Sequence, residues 1–100
     1  MAALNEMLDR VLQDYAGEDL NGYSHLTRSA DQTVYVIVSV AEIRGKQFVD
    51  TNLIVRLLDD RIVVDRDANS KPLVDALVQE GVPRRQIVLT YAGETIGDAA

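Results

Sequence analysis

The sequence predicts an α+β domain: an N-terminal helix, an antiparallel sheet of about four to five strands, and a second helix before the last strand, with both helices on one face. Three observations predict it. The first fifteen residues have helical periodicity, residues 34–66 alternate as strands do, and residues 70–91 encode a capped helix followed by a short apolar strand. With 100 residues, 47% of them hydrophobic, we expect one domain over residues 1–100 and an ordered core over about 4–92.

The first helix is predicted from apolar residues that recur every three or four positions, and Gly17 is expected to end it. These residues are Leu4, Met7, Leu8, Val11, Leu12 and Tyr15. The other face carries Glu6, Asp9 and Asp14, so this helix should present an acidic surface.

The central strands are predicted from two-residue alternation. In residues 34–40 the four valines at even positions should share one face, opposite Tyr35, Ile37 and Ser39. After a turn at residues 44–46, a second strand should bury one face, made of Val49, Thr51, Leu53, Val55 and Leu57. A shorter strand is expected over residues 23–28, and Asp59-Asp60 should turn the chain into a strand over residues 61–66, without the glycine that such turns favour.

The C-terminal unit reads as a helix followed by a strand. Ser70 is the predicted N-cap and Pro72 suits the first turn. Gly81 fits a left-handed C-cap, Pro83 prevents the helix from resuming, and Ile87 to Leu89 form a strand buried on both faces. Residues 1–3 and 93–100 are expected to fray.

The charge of −6 bears on partners, because duplex DNA is bound largely by neutralising its phosphates. We therefore do not expect direct nucleic-acid binding, although Arg84 and Arg85 form a short basic pair. The acidic helix face would attract a basic protein, or serve only as a solvated surface. The absence of cysteine, of a signal peptide and of a long apolar run predicts a cytoplasmic protein without a membrane span.

Catalytic chemistry is poorly supported, and we predict no enzyme activity, cofactor or metal. The chain has a single histidine, His25, and no serine in a nucleophile motif. Strand alternation would place Asp65 and Asp67 on one face about 7 Å apart, where they could hold a hard cation. Turn chemistry and neutralisation by neighbouring arginines explain the same residues. A small metal-dependent hydrolase or nuclease using Asp65, Asp67 and possibly His25 stays as an alternative.

Four segments resemble the XisI family, the fdxN-element excision controlling factors known chiefly from cyanobacteria. They are Val11–Ala16, which ends in a Tyr-Ala pair, Asp59–Asp67, Leu77–Pro83 and Gln86–Leu89. They follow the family's order over most of the chain, which is therefore identified as a divergent member of the family.

The resemblance implies a non-catalytic accessory protein that controls excision of a DNA element by contacting an XisH-like partner and a recombinase. A subunit of an unrelated complex is the alternative, and self-association into a homo-oligomer, for example through an unpaired strand edge, is also expected. The family carries an aromatic residue where this chain has Val63, so Val63 and Asp65 are predicted to lie on the exposed side of the central hairpin as partner-binding residues. The other predicted contacts are Glu6, Asp9, Asp14, Arg84 and Arg85.

Overall fold

A computed structural model describes residues 2–19 and 21–96, with the side chains of residues 2, 3 and 19 outside the description. The elements are α1 (Ala2–Gln13), β1 (Gly17–Asp19), β2 (Gly22–Arg28), β3 (Val34–Ile43), β4 (Lys46–Leu58), β5 (Arg61–Asp67), α2 (Leu73–Gln79) and β6 (Ile87–Leu89). Short 3-10 turns occupy Arg84–Gln86 and Thr90–Ala92. Within the described part, the six strands form one sheet in chain order.

The predicted α+β class, with a helix at the start and a second helix before the last strand, is confirmed. Two details of the sheet differ from the prediction. The three-residue strand β1 was not predicted, and β6 pairs parallel to β5, so the sheet is mixed. The parallel pairing follows from α2, because a helix between two strands carries the chain back to the end of the sheet where the first strand began.

Both helices pack on the same face of the sheet and form the core with it. The helices contribute Leu8, Val11, Leu12, Leu73, Ala76 and Leu77 to this cluster. The sheet contributes Tyr35, Ile37, Leu53, Val55, Leu57, Ile62, Val64, Ile87 and Leu89. An ion pair between Arg10 and Glu80 also joins α1 to the end of α2. The apolar stripe predicted for α1 is therefore the stripe that the sheet covers.

The ends of α2 show one wrong prediction and one correct one. The N-cap position is Pro72 rather than Ser70. Asp67 Oδ2 accepts a hydrogen bond from the Leu73 N–H at 2.7 Å, so a carboxylate at the end of β5 fixes the helix start. At the other end, Gly81 has a φ of 99°, as its predicted capping role requires. The Val82 N–H donates to the Leu77 carbonyl at 3.1 Å, which completes a Schellman motif.

Two β-bulges redirect the side chains of β4 and β5. Ile37 lies opposite Leu53 but Val38 lies opposite Thr51, so Asn52 is an extra residue in β4. A one-residue insertion moves all following side chains to the opposite face. The prediction that Val49 and Thr51 share the buried face of Leu53 is therefore wrong, and Val49 is 65% exposed.

The second bulge separates the two aspartates that alternation had placed together. Val55 pairs with Val64 and Ile54 with Arg66, which leaves Asp65 as the extra residue. Asp67 returns to the helix side of the sheet and caps α2, whereas Asp65 contacts Arg56. The predicted shared face of Asp65 and Asp67 is thus wrong.

Val63 is fully buried, so its predicted exposure is also wrong. Its register partner in β6 is Val88, which is 1% exposed. The chain after β6 stays against β5, since Thr90 Oγ1 donates to the Val64 carbonyl at 3.0 Å and Arg61 Nη1 donates to the Ile96 carbonyl at 3.0 Å.

The predicted frayed ends are partly structured. In the segment after β6, the Glu94 N–H donates to the Leu89 carbonyl at 3.1 Å, and α1 already begins at Ala2. Residues 1 and 97–100, also predicted to fray, lie outside the described residues.

Truncating Val63 tests its place in the structure. Val63→Ala should lower the free energy of unfolding by about 2 kcal/mol, because it removes two buried methyl groups and leaves a cavity. Val49→Ala makes the same chemical change at an exposed site and should cost less than about 0.5 kcal/mol. Urea denaturation of both variants measures the difference, and equal losses would contradict the burial of Val63.

Candidate functional site

The acidic surface predicted on α1 is only partly available to a partner. Asp9 is held from two sides: Arg28 donates to its Oδ1 from Nε at 3.1 Å, and Gln13 Nε2 donates to its Oδ2 at 3.1 Å. Asp9 therefore ties α1 to β2. Glu6 is exposed on the same helix, and Asp14 is exposed in the turn that directly follows it. We assign Asp9 a structural part in this surface and keep Glu6 and Asp14 as candidate contacts.

A polar groove of about 400 Å³ separates α1 from the β2–β3 hairpin. It is lined by Asn5, Glu6, Asp9, Arg28, Gln32 and Tyr35. Burial raises the pKa of Tyr35, and the charge of Asp9 raises it further against the opposing effect of Arg28. The phenol is therefore protonated at neutral pH and is unsuited to act as a base or nucleophile.

A second groove, of about 430 Å³, lies where the end of α1 meets the segment before α2. The Tyr15 hydroxyl donates to the Lys71 carbonyl at 3.0 Å and holds these segments together. Burial raises the pKa of Tyr15, and the nearby charges of Asp67 and Asp75 add to the shift. This tyrosine also serves structure rather than acid–base chemistry.

Asp65 forms the best-defined ionic contact outside the core. Arg56 binds it in bidentate fashion, with Nε to Oδ2 at 2.6 Å and Nη2 to Oδ1 at 3.1 Å, and the Thr90 hydroxyl donates to Oδ1 at 2.6 Å. The hydrogen bond from Arg56 is the main reason that the pKa of Asp65 is lowered; Thr90 adds to it and burial opposes it. The contact joins β4, β5 and the turn after β6. Asp65, a predicted partner residue, therefore makes its contacts within the protein.

The alternative metal site is not assembled. Asp65 and Asp67 are engaged with Arg56 and the start of α2, and Asp59 occupies a turn with a φ of 57°. His25 is exposed on β2, with its ring 4.8 Å from that of Tyr23. Two strands separate β2 from β5, a distance of about 14 Å at ordinary strand spacing. Among residues 2–19 and 21–96, no cluster of three His, Cys, Asp or Glu side chains could hold a metal ion.

Arg84, a predicted contact residue, protects the outer edge of the sheet. Its Nη1 donates to the Ile87 carbonyl at 2.8 Å and its Nη2 lies 2.6 Å from Glu94 Oε2. The other oxygen of Glu94 accepts the Leu89 N–H at 2.9 Å, and this bond is the main reason that the pKa of Glu94 is lowered. One ion pair thus covers both an outward carbonyl and an outward N–H of β6, which closes the edge to further strands. Arg85 is exposed.

A protruding hairpin that the sequence did not single out is the main apolar feature of the surface. β3 and β4 pair as far as Ile43 and Lys46, but β2 pairs with β3 only to Ala41 and β5 pairs with β4 only to Leu53. Residues 42–47 therefore project beyond both neighbouring strands, and residues 48–51 of β4 have β3 on one side but no strand on the other. We call residues 41–51 the arm; residues 42–50 are all exposed. Ile43, Phe48 and Val49 on the arm are 51%, 52% and 65% exposed. Apolar residues beside the tight turn at Arg44-Gly45 were the signal that could have indicated it.

A polar cluster marks the junction between arm and body. Ser24 and Ser39 hydroxyls are 2.9 Å apart, and the Asn52 amide donates to Ser39 Oγ at 2.9 Å. Beyond this cluster the apolar core ends, and the arm is held by strand pairing and by Arg66, which contacts the Thr51 carbonyl and the Asp50 carboxylate.

These features define an α+β protein with a mixed sheet, two helices on one face and a projecting hairpin arm. The fold is similar to that of an XisI-like protein from Anabaena variabilis ATCC 29413, with a TM-score of 0.75, 21% identity, and coverage of 88% of this chain and 84% of that one. It is also similar to the fdxN element excision controlling factor XisI from the same organism, with a TM-score of 0.67, 12% identity and coverage of 97% and 95%.

The XisI protein family model matches residues 1–98, and the chain belongs to the XisI family. The resemblance found in four sequence segments is confirmed. None of the curated proteins matches the chain. In the described part, no helix is long and apolar enough to cross a membrane.

Replacing Asp65 tests its structural role through pH. The lowered pKa means that the folded protein holds the charged carboxylate more strongly than the unfolded chain does. This stabilisation is present above the unfolded pKa of about 4 and disappears as the pH falls through the folded pKa. Asp65→Asn should therefore cost about 1–2 kcal/mol at neutral pH and progressively less below about pH 4.

Urea denaturation across a pH series provides the measurement, with Asp60→Asn in the exposed turn as the matched control. A constant difference between wild type and Asp65→Asn at all pH values would show that the ionised carboxylate is not what stabilises this corner.

Proposed function

We propose that this protein is a non-catalytic accessory factor that controls excision of a DNA element through contacts with other proteins. The observation that carries the proposal is XisI family membership over residues 1–98. A structurally similar protein is itself an fdxN element excision controlling factor.

The electrostatics favour protein partners over direct DNA binding. The chain has a net charge of −6, and five of its ten cationic residues are ion-paired in the structure. Phosphate binding needs cations that are free to replace counterions. A regulator of this charge would reach DNA through a recombinase or another partner rather than by itself.

Two surfaces are suited to such partners. Glu6 on α1 and Asp14 directly after it are exposed carboxylates, and they would attract a basic patch on an XisH-like protein. Exposed Arg85 is a smaller candidate contact. Val63, Asp65 and Arg84 have structural roles, so we do not propose them as partner contacts.

The partner contact is testable by co-expressing the chain with an XisH-like protein from the same genome and measuring the complex by light scattering. Glu6→Lys combined with Asp14→Lys should weaken a mixed complex at least about tenfold, because both charges would then repel a basic partner. Added salt should weaken the wild-type complex and reduce the difference.

Glu18→Lys combined with Asp60→Lys is the matched control, since it makes the same change in net charge at exposed sites away from α1. Equal weakening by both pairs would show that total charge, not the helix face, governs binding. A chain that keeps its own mass beside the XisH-like protein, but forms a complex with another co-expressed protein, would favour the alternative role in an unrelated assembly.

A further inference from the structure

The outer edge of β4 is open along the arm. Lys46 to Asp50 pair with β3 on one side, whereas β5 pairs with β4 only from Leu53 onward. The opening ends at Thr51, whose carbonyl accepts a hydrogen bond from Arg66 Nε. At the other edges of the sheet, Arg84 and Glu94 cover β6, and β1 has only three residues. The outer edge of β2 is uncovered only over residues 25–28, where Arg28 pairs with Asp9 of α1.

Hydrogen bonds on the neighbouring strand show which way the backbone of β4 faces. The Glu42 N–H in β3 donates to the Asn21 carbonyl at 2.8 Å, on the β2 side. Backbone direction alternates along a strand, so Ala41 faces β4. Its register partner Phe48 therefore directs its own N–H and C=O toward β3.

The same alternation directs the N–H and C=O groups of Gln47 and Val49 away from β3, to the open edge. In the described structure, no strand pairs with Gln47 or Val49 on that side. An antiparallel strand centred on Phe48 would pair with both residues.

The side chains of this segment are self-complementary in that register. If a second copy lies antiparallel across Phe48, Lys46 falls opposite Asp50 of the second copy, and Asp50 falls opposite its Lys46. Phe48 falls opposite Phe48, and Gln47 opposite Val49. The two Phe48 residues then form a non-hydrogen-bonded pair, in which side chains come closest. Gln47 of each copy exchanges backbone hydrogen bonds with Val49 of the other.

We propose that two copies of this chain associate through their β4 edges, about a two-fold axis at Phe48, so that the sheets of the two copies become continuous through their arms. A two-fold interface requires a self-complementary surface, which residues 46–50 provide in both charge and backbone polarity. The Asp50 carboxylate is accessible for the contact, since its side chain is 72% exposed and its Arg66 partner lies 3.4 Å away. The pairing also covers the exposed rings of Phe48.

Charge reversal tests this register. Lys46→Asp alone places like charges opposite each other, as does Asp50→Lys alone, and each should weaken the dimer at least about tenfold. A mixture of the two variants should dimerise, and the double variant should regain self-association. Sedimentation over a concentration series measures each case, and Lys71→Asp, exposed outside the arm, is the control.

Wild-type protein that stays monomeric throughout the series would overturn the proposal, as would a mixture that stays monomeric or single variants that dimerise like the wild type. Circular dichroism checks that each variant is folded. Because only this chain is present, the result does not depend on whether the proposed excision partner exists.

A thiol at the axis gives an independent measurement. The chain has no cysteine, so Phe48→Cys introduces a single thiol. In a non-hydrogen-bonded pair the two Cα atoms would be about 4.5 Å apart, within the range that a disulfide spans. Phe48→Cys should therefore form a disulfide dimer on mild oxidation much faster than Gln47→Cys, whose thiol would lie opposite Val49. Equal rates for the two variants would contradict the register.

Discussion

The extra residue at Asn52 in β4 is the constraint on which the rest of the structure depends. On one side of it, Leu53, Val55 and Leu57 lie against the helices and complete the core. On the other side of Asn52, the side chains of β4 alternate in the opposite sense, and the strand continues as the arm, where Val49 is exposed to solvent. A side-chain period of two makes this exchange unavoidable once a residue is inserted. One insertion therefore divides the molecule into a packed body and an exposed hairpin.

Charged side chains serve mainly to hold elements of the body together. Asp9 with Arg28 joins α1 to β2, Arg56 with Asp65 joins β4 to β5, and Arg84 with Glu94 closes β6. The more exposed pairs, Asp9 with Arg28 and Arg84 with Glu94, contribute little stability individually, whereas Asp65 accepts three hydrogen bonds and contributes more. Most of the stability comes from the apolar core. Their effect is to fix geometry and to occupy groups that could otherwise have bound metal or phosphate. The surfaces not used in these ion pairs are the one around Glu6 and Asp14 and the arm, and the proposed regulatory role would depend on them.

The predictions that were correct depended on local patterns. The stripe of α1, the alternation of β3 and the Gly81 cap involve residues close in sequence, and the spacing of four short segments was enough to indicate the XisI family. The predictions that were wrong concerned contacts between distant segments. The burial of Val63 depended on the place of β6. The start of α2 depended on Asp67, which accepts a hydrogen bond from the N–H of Leu73, six residues further along the chain.

The sequence by itself therefore determined the elements of this protein, its fold class and its family, because periodicity and capping act within a few residues. Only the tertiary structure decided which face each residue occupies, which aspartates are free and which strand edges are open. A bulge is defined by the register with the opposite strand, and an open edge is defined by the absence of a neighbouring strand. Neither is a property of the strand's own sequence.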